Sequence, residues 1–135
     1  MRKLLFFSAL ALVFGAGCSA KSDVVRLAVA VPLTGDIGTE GQGIRRAVEL
    51  AVEEANALKK FPFKIEVRAF DDRADPKEAV SVANIIVSDP AVLAVIGHYN
   101  SGCSIPASQV YARAGIPMIS PSSTNPKLTQ QQLDP

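Results

Sequence analysis

Two short segments concentrate the side chains able to hold a small polar molecule. Asn100-Ser101-Gly102-Cys103-Ser104 stands ahead of an expected helix, and Ser122-Ser123-Thr124 follows an apolar run. The unpaired N–H groups and positive dipole end of a helix N-terminus favour a carboxylate or phosphate. Ser122 to Thr124 add hydroxyls and a free carbonyl, so the two segments together suit the opposite charges of a zwitterion such as an amino acid. The plainer reading of the same residues is helix caps and turns, where Ser and Thr are common.

Other constellations carry less. Gly35 to Gly43 is Gly-rich, but no Gly-Lys-Ser/Thr follows and the spacing misses the dinucleotide fingerprint. His98 is the only histidine, which excludes a His-based metal cluster and leaves any Ser-His-Asp mechanism dependent on this one residue. Asp71, Asp72 and Asp75 lack EF-hand spacing, and Asp75 is better explained as a helix cap. Cys103, beside a helix start, is open to a lowered pKa, although a lone small thiol in a loop is more often unreactive. These residues point to ligand binding, with no catalytic residue, metal or cofactor assigned.

The elements that must position them alternate. Val24 to Val31 is a nearly continuous Val-rich run ended by Pro32, the pattern of a strand buried on both faces of a parallel sheet. Ile44, Ala47, Val48, Ala51, Val52, Ala55 and Leu58 recur at three- and four-residue spacing, which predicts a helix from about Gly41 to Leu58 with one apolar face. Phe63 to Phe70 alternates apolar and charged residues, as a half-exposed strand near a sheet edge does. Asp75, Pro76 and Glu78 then form a variant capping box for a helix that buries Ala79, Val82, Ala83 and Ile86. Val92 to Gly97 is a central strand, and a loop over His98 to Ser104 leads to a short helix with Pro106 near its first turn and Gly115 after its end. Ile116 to Ser120 is the fourth strand, and the polar tail from Lys127 carries no core signal. Strands alternating with helices predict an α/β fold with a parallel sheet and helices on both faces. Ligands of such sheets bind beyond the carboxyl ends of the strands, where both hydroxyl-rich segments fall.

The beginning of the chain is of another kind. Met1-Arg2-Lys3 is cationic, and Leu4 to Phe14 contains only apolar residues and Ser8, the layout of an export signal. Eleven residues are too few for a spanning helix, which needs roughly 20. Gly15-Ala16-Gly17-Cys18 resembles the lipobox at which bacterial lipoproteins are cut and acylated, with Gly15 where Leu is preferred. The expected division is a signal peptide over 1–17, lipidation at Cys18, a tether over 18–23 and a folded part over 24–135. Of 14 basic and 13 acidic residues, loss of Arg2 and Lys3 leaves 12 against 13, a balance that gives no footprint for nucleic acid. Only Cys103 then remains beyond the lipidated position, so no intrachain disulfide is expected.

Val29-Ala30-Val31-Pro32-Leu33-Thr34-Gly35, Gly43 to Ala51, Asp71-Asp72-Arg73-Ala74-Asp75-Pro76, Ala79 to Asn84, Val95-Ile96-Gly97-His98, Pro106-Ala107 and Gly115 to Pro121 follow in order. This succession resembles the start of the leucine/isoleucine/valine-binding proteins, the type I periplasmic binding proteins of ABC importers for branched-chain and related amino acids. The resemblance implies a Rossmann-like, three-layer lobe of a two-lobed protein that closes over its solute and delivers it to a membrane permease without a chemical step. It also implies that Ser101 offers its hydroxyl and backbone N–H to the ligand carboxylate, that Ser122 and Thr124 serve the ammonium and carboxylate, and that Tyr99 lines the same pocket. Glu40 stands where the branched-chain members have an aromatic residue, which opens the preference to polar amino acids or amides. Ala74 and Asn100 stand where those members have a disulfide. Family members continue into a second lobe and return, so 24–135 is expected to be a partial first lobe, from a gene fragment or a truncated product. A ligand-sensing domain of a receptor is the alternative, since the same lobe serves both roles. A small flavodoxin-like enzyme is disfavoured by the export signal and the missing phosphate motifs.

Overall fold

Eight consecutive residues with Val or Ala at most positions have little choice but to be a buried strand, and Val24–Val31 forms β1, with Ala28 to Val31 fully buried. The computed structural model describes residues 24–131. The expected signal peptide, Cys18, the tether and residues 132–135 lie outside the described residues. After β1 come α1 (Gly38–Ala57), β2 (Lys64–Asp71), α2 (Pro76–Val87), β3 (Val92–Gly97), α3 (Ser101–Arg113), β4 (Met118–Ile119) and α4 (Lys127–Gln130).

The four strands form one parallel sheet in the order β2-β1-β3-β4. β2 is an edge strand, as its alternation requires, and β1 and β3 are central. Val29 pairs with Ala69 on one side and Ile96 on the other, so the carboxyl ends of the strands open at one end of the sheet. The chain passes from β1 to β2 on one flank and returns to β3 on the other. The exits of β1 and β3 therefore border the point where strand order reverses, the place such sheets use for ligands.

Alternate residues of β1 and β3 face opposite layers. Ala28, Ala30, Val92 and Val95 pack with Ala79, Ala83, Ile86, Ala107 and Tyr111 of α2 and α3 in the main core, a register irregularity opposite Arg26/Leu27 bringing Val92 to the same side as Val95. Val25, Leu27 and Ile96 face α1. Two glycines allow close backbone approaches, Gly41 between α1 and the β1 exit and Gly97 between the paired strands β3 and β1. A Cβ on Gly41 would collide with the Pro32 carbonyl, and one on Gly97, at φ 149°, would collide with the Ala30 carbonyl.

Several local expectations are corrected. α1 begins at Gly38, three residues early, and of its predicted apolar stripe only Val52 is buried, while Leu58 is an exposed C-cap residue. Asp75 caps α2 by accepting from Lys77 and Glu78 N–H groups, but its own N–H goes to the Asp72 carbonyl, so the reciprocal half of the capping box is absent. α3 starts at Ser101, because extended Asn100 ends the strand exit and its carbonyl already accepts the Cys103 and Ser104 amides. Pro106 therefore lies in the second turn and removes one helical hydrogen bond there. β4 is only Met118–Ile119 between Pro117 and Pro121; the polar tail carries the short α4, none of whose residues is buried, in keeping with its lack of a core signal.

Candidate functional site

At the carboxyl end of the sheet the exits of β3 and β4 are tied together. Ser101, the first residue of α3, accepts at Oγ the backbone N–H of Thr124 at 3.1 Å and of Asn125 at 3.2 Å. A hydroxyl oxygen has two lone pairs, and two N–H donors occupy both, so the free capacity of Ser101 is its O–H. The orphan amides and positive dipole end of α3 stand beside it. Ser122 and Thr124 are exposed on the facing loop, and among the described residues no donor reaches the Ser122 carbonyl. Tyr99 is half-buried, and its carbonyl lies 3.4 Å from the Ser123 hydroxyl oxygen. Ser101 and Thr124 are thus in direct contact, with Tyr99 and Ser122 on the same two loops.

Beneath them lies a polar assembly that spacing did not reveal. His98 is fully buried, with Nδ1 2.6 Å from Asp72 Oδ2 and Nε2 3.1 Å from the Tyr111 hydroxyl. Its carbonyl accepts hydroxyls from Ser104 at 3.0 Å and Ser120 at 2.7 Å, and the Ser123 hydroxyl oxygen lies 3.4 Å away. Ser104 and Ser123 also share a hydrogen bond of 2.7 Å, and Ser120 Oγ accepts the Ser123 amide at 3.0 Å. Burial first, and the charge of Asp72 second, raise the Tyr111 hydroxyl above its ordinary value, which keeps it a proton donor. The sequence signal for Ser120 and Ser123 was their place in the hydroxyl cluster. Nothing local marks Asp72 and Tyr111, which lie 26 and 13 residues from His98.

The first loop is latched to the rim as well. Asp71 accepts the Leu33 amide at 2.8 Å, the Thr34 hydroxyl at 2.5 Å and the Arg73 amide at 2.9 Å. Burial works against its charge, but the Thr34 and backbone bonds outweigh it and hold the carboxyl below its ordinary value. Glu40 is exposed in the first turn of α1. Cys103 is 1% exposed, and burial, together with the charges of Asp72 and Asp75, pushes its thiol up to about 12. The option of a lowered thiol pKa at this helix start is therefore wrong: the side chain points into the core rather than along the dipole. Asn100 Oδ1 is buried without a hydrogen-bond partner among the described residues.

A cavity of about 730 Å³ lies elsewhere, between α1 and the sheet, lined by residues such as Ile44, Val48, Phe61 and Leu93. Its walls are apolar and offer a zwitterion nothing to bond.

The family profile described as "Periplasmic binding protein" matches residues 24–133. The chain belongs to the periplasmic binding protein family. This periplasmic binding protein chain is 46% identical over 135 residues to Leu/Ile/Val-binding protein homolog 1 of Brucella abortus (strain 2308), covering 98% of this chain and 36% of that protein. It is 41% identical over 133 residues to a Pseudomonas aeruginosa protein named "Amino acid binding protein", covering 98% of this chain and 35% of that one. Among solved structures, it matches the branched-chain amino acid transporter substrate binding protein LivJ of Streptococcus pneumoniae, in complex with isoleucine, at a TM-score of 0.73 and 31% identity, over 79% of this chain and 31% of that one. A Desulfitobacterium hafniense ABC transporter substrate-binding protein in complex with Leu matches at 0.67 and 34% identity, over 82% and 32%. The chain thus spans about a third of the length of the relatives it matches. The α/β lobe expected from the sequence is the fold of this periplasmic binding protein.

Proposed function

We propose that the chain is the amino-terminal portion of an extracytoplasmic solute-binding protein that holds a free amino acid, branched-chain or a related small solute, and presents it to an ABC permease in the membrane. The observation that carries this reading is Ser101: with both lone pairs taken by the Thr124 and Asn125 amides, it has only a proton to give, and an anionic acceptor such as a carboxylate is its natural partner. The Thr124 hydroxyl and the α3 amides add donors of the same sense, and the Ser122 carbonyl suits the ammonium. Tyr99 forms a wall beside them. Relatives named for Leu/Ile/Val binding, and neighbours holding Leu and isoleucine, support the ligand class. No reaction belongs to this reading; the site orients a ligand by polar groups and releases it unchanged.

Export and a lipid on Cys18, holding the protein at the cell envelope, complete the proposal, supported by the apolar leader and the small residues before the cysteine. Saturation-transfer NMR of the chain against the proteinogenic amino acids tests the ligand class. At least one should show transfer while its decarboxylated amine shows none; equal transfer from amine and acid contradicts the carboxylate role of Ser101. Mass spectrometry of the protein from membranes tests the anchor, with acylated Cys18 expected and an unmodified Cys18 overturning it.

A further inference from the structure

His98 is better connected than any binding role requires. Its ring is held at opposite edges, by Asp72 from the β2 exit and Tyr111 from α3, and its carbonyl collects hydroxyls from α3 and from the β4 exit. Asp72 is itself 0% exposed and is fixed from behind: its N–H bonds the Val31 carbonyl at the end of β1, and its Oδ1 accepts the Ala74 amide at 3.0 Å. One residue therefore joins all four strand exits and α3. An imidazole bonded at one nitrogen still tilts about that bond. Bonds at both nitrogens fix the ring, and with it the backbone that leads three residues on to Ser101.

Burial raises the stakes. Asp72, His98 and Ser104 are each fully buried, so a lost partner is not replaced by water and the orphaned group must move or stay unsatisfied. The movement with the least resistance is at the rim. Ser122, Thr124 and Asn125 are exposed, whereas Ala28 and Ala30 are sealed in the sheet. A ring that tilts shifts its carbonyl, loosens Ser120 and Ser123, and releases the loop whose amides Ser101 holds.

We propose that Asp72, His98 and Tyr111 are positioning residues that set the geometry of the ligand loops from below: the Asp72–His98–Tyr111 string fixes the His98 carbonyl, and the carbonyl fixes the 120–125 loop against Ser101. The proposal rests on the reading of these loops as the ligand site, but its test needs no ligand, so the two can fail separately.

The test is residue-resolved amide exchange on the isotope-labelled 135-residue chain. Tyr111→Phe removes one hydroxyl and keeps the ring in its core position. Exchange at Ser123, Thr124 and Asn125 should rise by about tenfold, with Ala28 to Ala30 unchanged, since one buried hydrogen bond is worth about that factor. His98→Asn, whose amide nitrogen can still donate to Asp72, should give a smaller rise than His98→Leu. A purely structural role predicts something different, an equal rise in sheet and loop together, and that result overturns the proposal, as does a wild-type rate in the loop. A measurement on the unmutated chain guards against variants that fail to fold. The His98 Nδ1 proton held by Asp72 should appear as a slowly exchanging downfield resonance, and its absence contradicts the string outright.

Discussion

Ser101 Oγ accepts the Thr124 amide at 3.1 Å across the gap between the β3 and β4 exits, and this bond turns two separate loops into one surface. Ser101→Ala removes it together with the Asn125 bond. Both amides can turn to water at this exposed loop, so stability should fall by no more than about 1 kcal/mol. Solute affinity should fall about tenfold or more, because the proposed donor to the carboxylate goes as well. Denaturant unfolding and a ligand titration on the same variant separate the two effects; a large stability loss with unchanged affinity contradicts the assignment.

Two glycines of α1 should respond in opposite directions. Nothing lies within 4 Å of a Cβ placed on Gly43, so Gly43→Ala should stabilise the chain by about 0.5–1 kcal/mol through helix propensity. Gly41→Ala drives a methyl into the Pro32 carbonyl and should destabilise by about 2 kcal/mol or more, lifting the first turn of α1 from the β1 exit. Denaturation midpoints of the two variants check the contrast, and a shift of the same sign in both refutes the packing.

Acid should weaken the fold. Asp71, Asp75 and Asp89 are all held below their ordinary value of 3.8: Asp71 by the Thr34 and backbone bonds that outweigh burial, Asp75 by the Glu78 and Lys77 amides, Asp89 by the Ala91 amide and then Arg26 and Arg68. Each binds a proton less readily folded than unfolded. The stability they contribute is complete above the unfolded value and is lost as pH falls through the lower folded values. Unfolding midpoints should be level from about pH 7 to pH 5 and decline below about pH 4, with Asp71→Asn reducing the decline. A midpoint that rises on acidification is the opposite of what this linkage requires.

Cys103 should be silent in the folded chain. Its side chain is sealed and its thiol is pushed up to about 12, so almost no thiolate exists near neutral pH. Alkylation mapped to Cys103 should proceed only at the rate of unfolding and accelerate in denaturant. Rapid labelling of Cys103 in native buffer contradicts its burial.

Local chemistry made part of this legible from sequence. The apolar runs of β1 and β3, the alternation of β2 and the Asp75-Pro76 cap of α2 each carry their instructions within a few residues, and each formed as expected. The α1 stripe did not predict burial, because spacing says which face is apolar and not what covers it; Leu58 is 67% exposed. Ser101 and the 122–124 loop were visible as hydroxyl clusters, but their mutual bond depends on the strand order. As the only histidine, His98 shows from sequence that a His-based metal cluster is excluded, but not what its ring bonds to. Its partners Asp72 and Tyr111 reach it only through the fold, from the β2 exit and the last turn of α3.

The β3 and β4 exits are proposed to hold an amino acid by its carboxylate. Titrating L-leucine into the isotope-labelled chain while following amide shifts tests it most directly. Shifts should cluster at Tyr99 to Ser101 and Ser122 to Asn125, vanish in Ser101→Ala, and be missing for isoamylamine, which is leucine without its carboxylate. Shifts centred instead on Val48 and Phe61 in the apolar cleft, or equal shifts with isoamylamine, would contradict it.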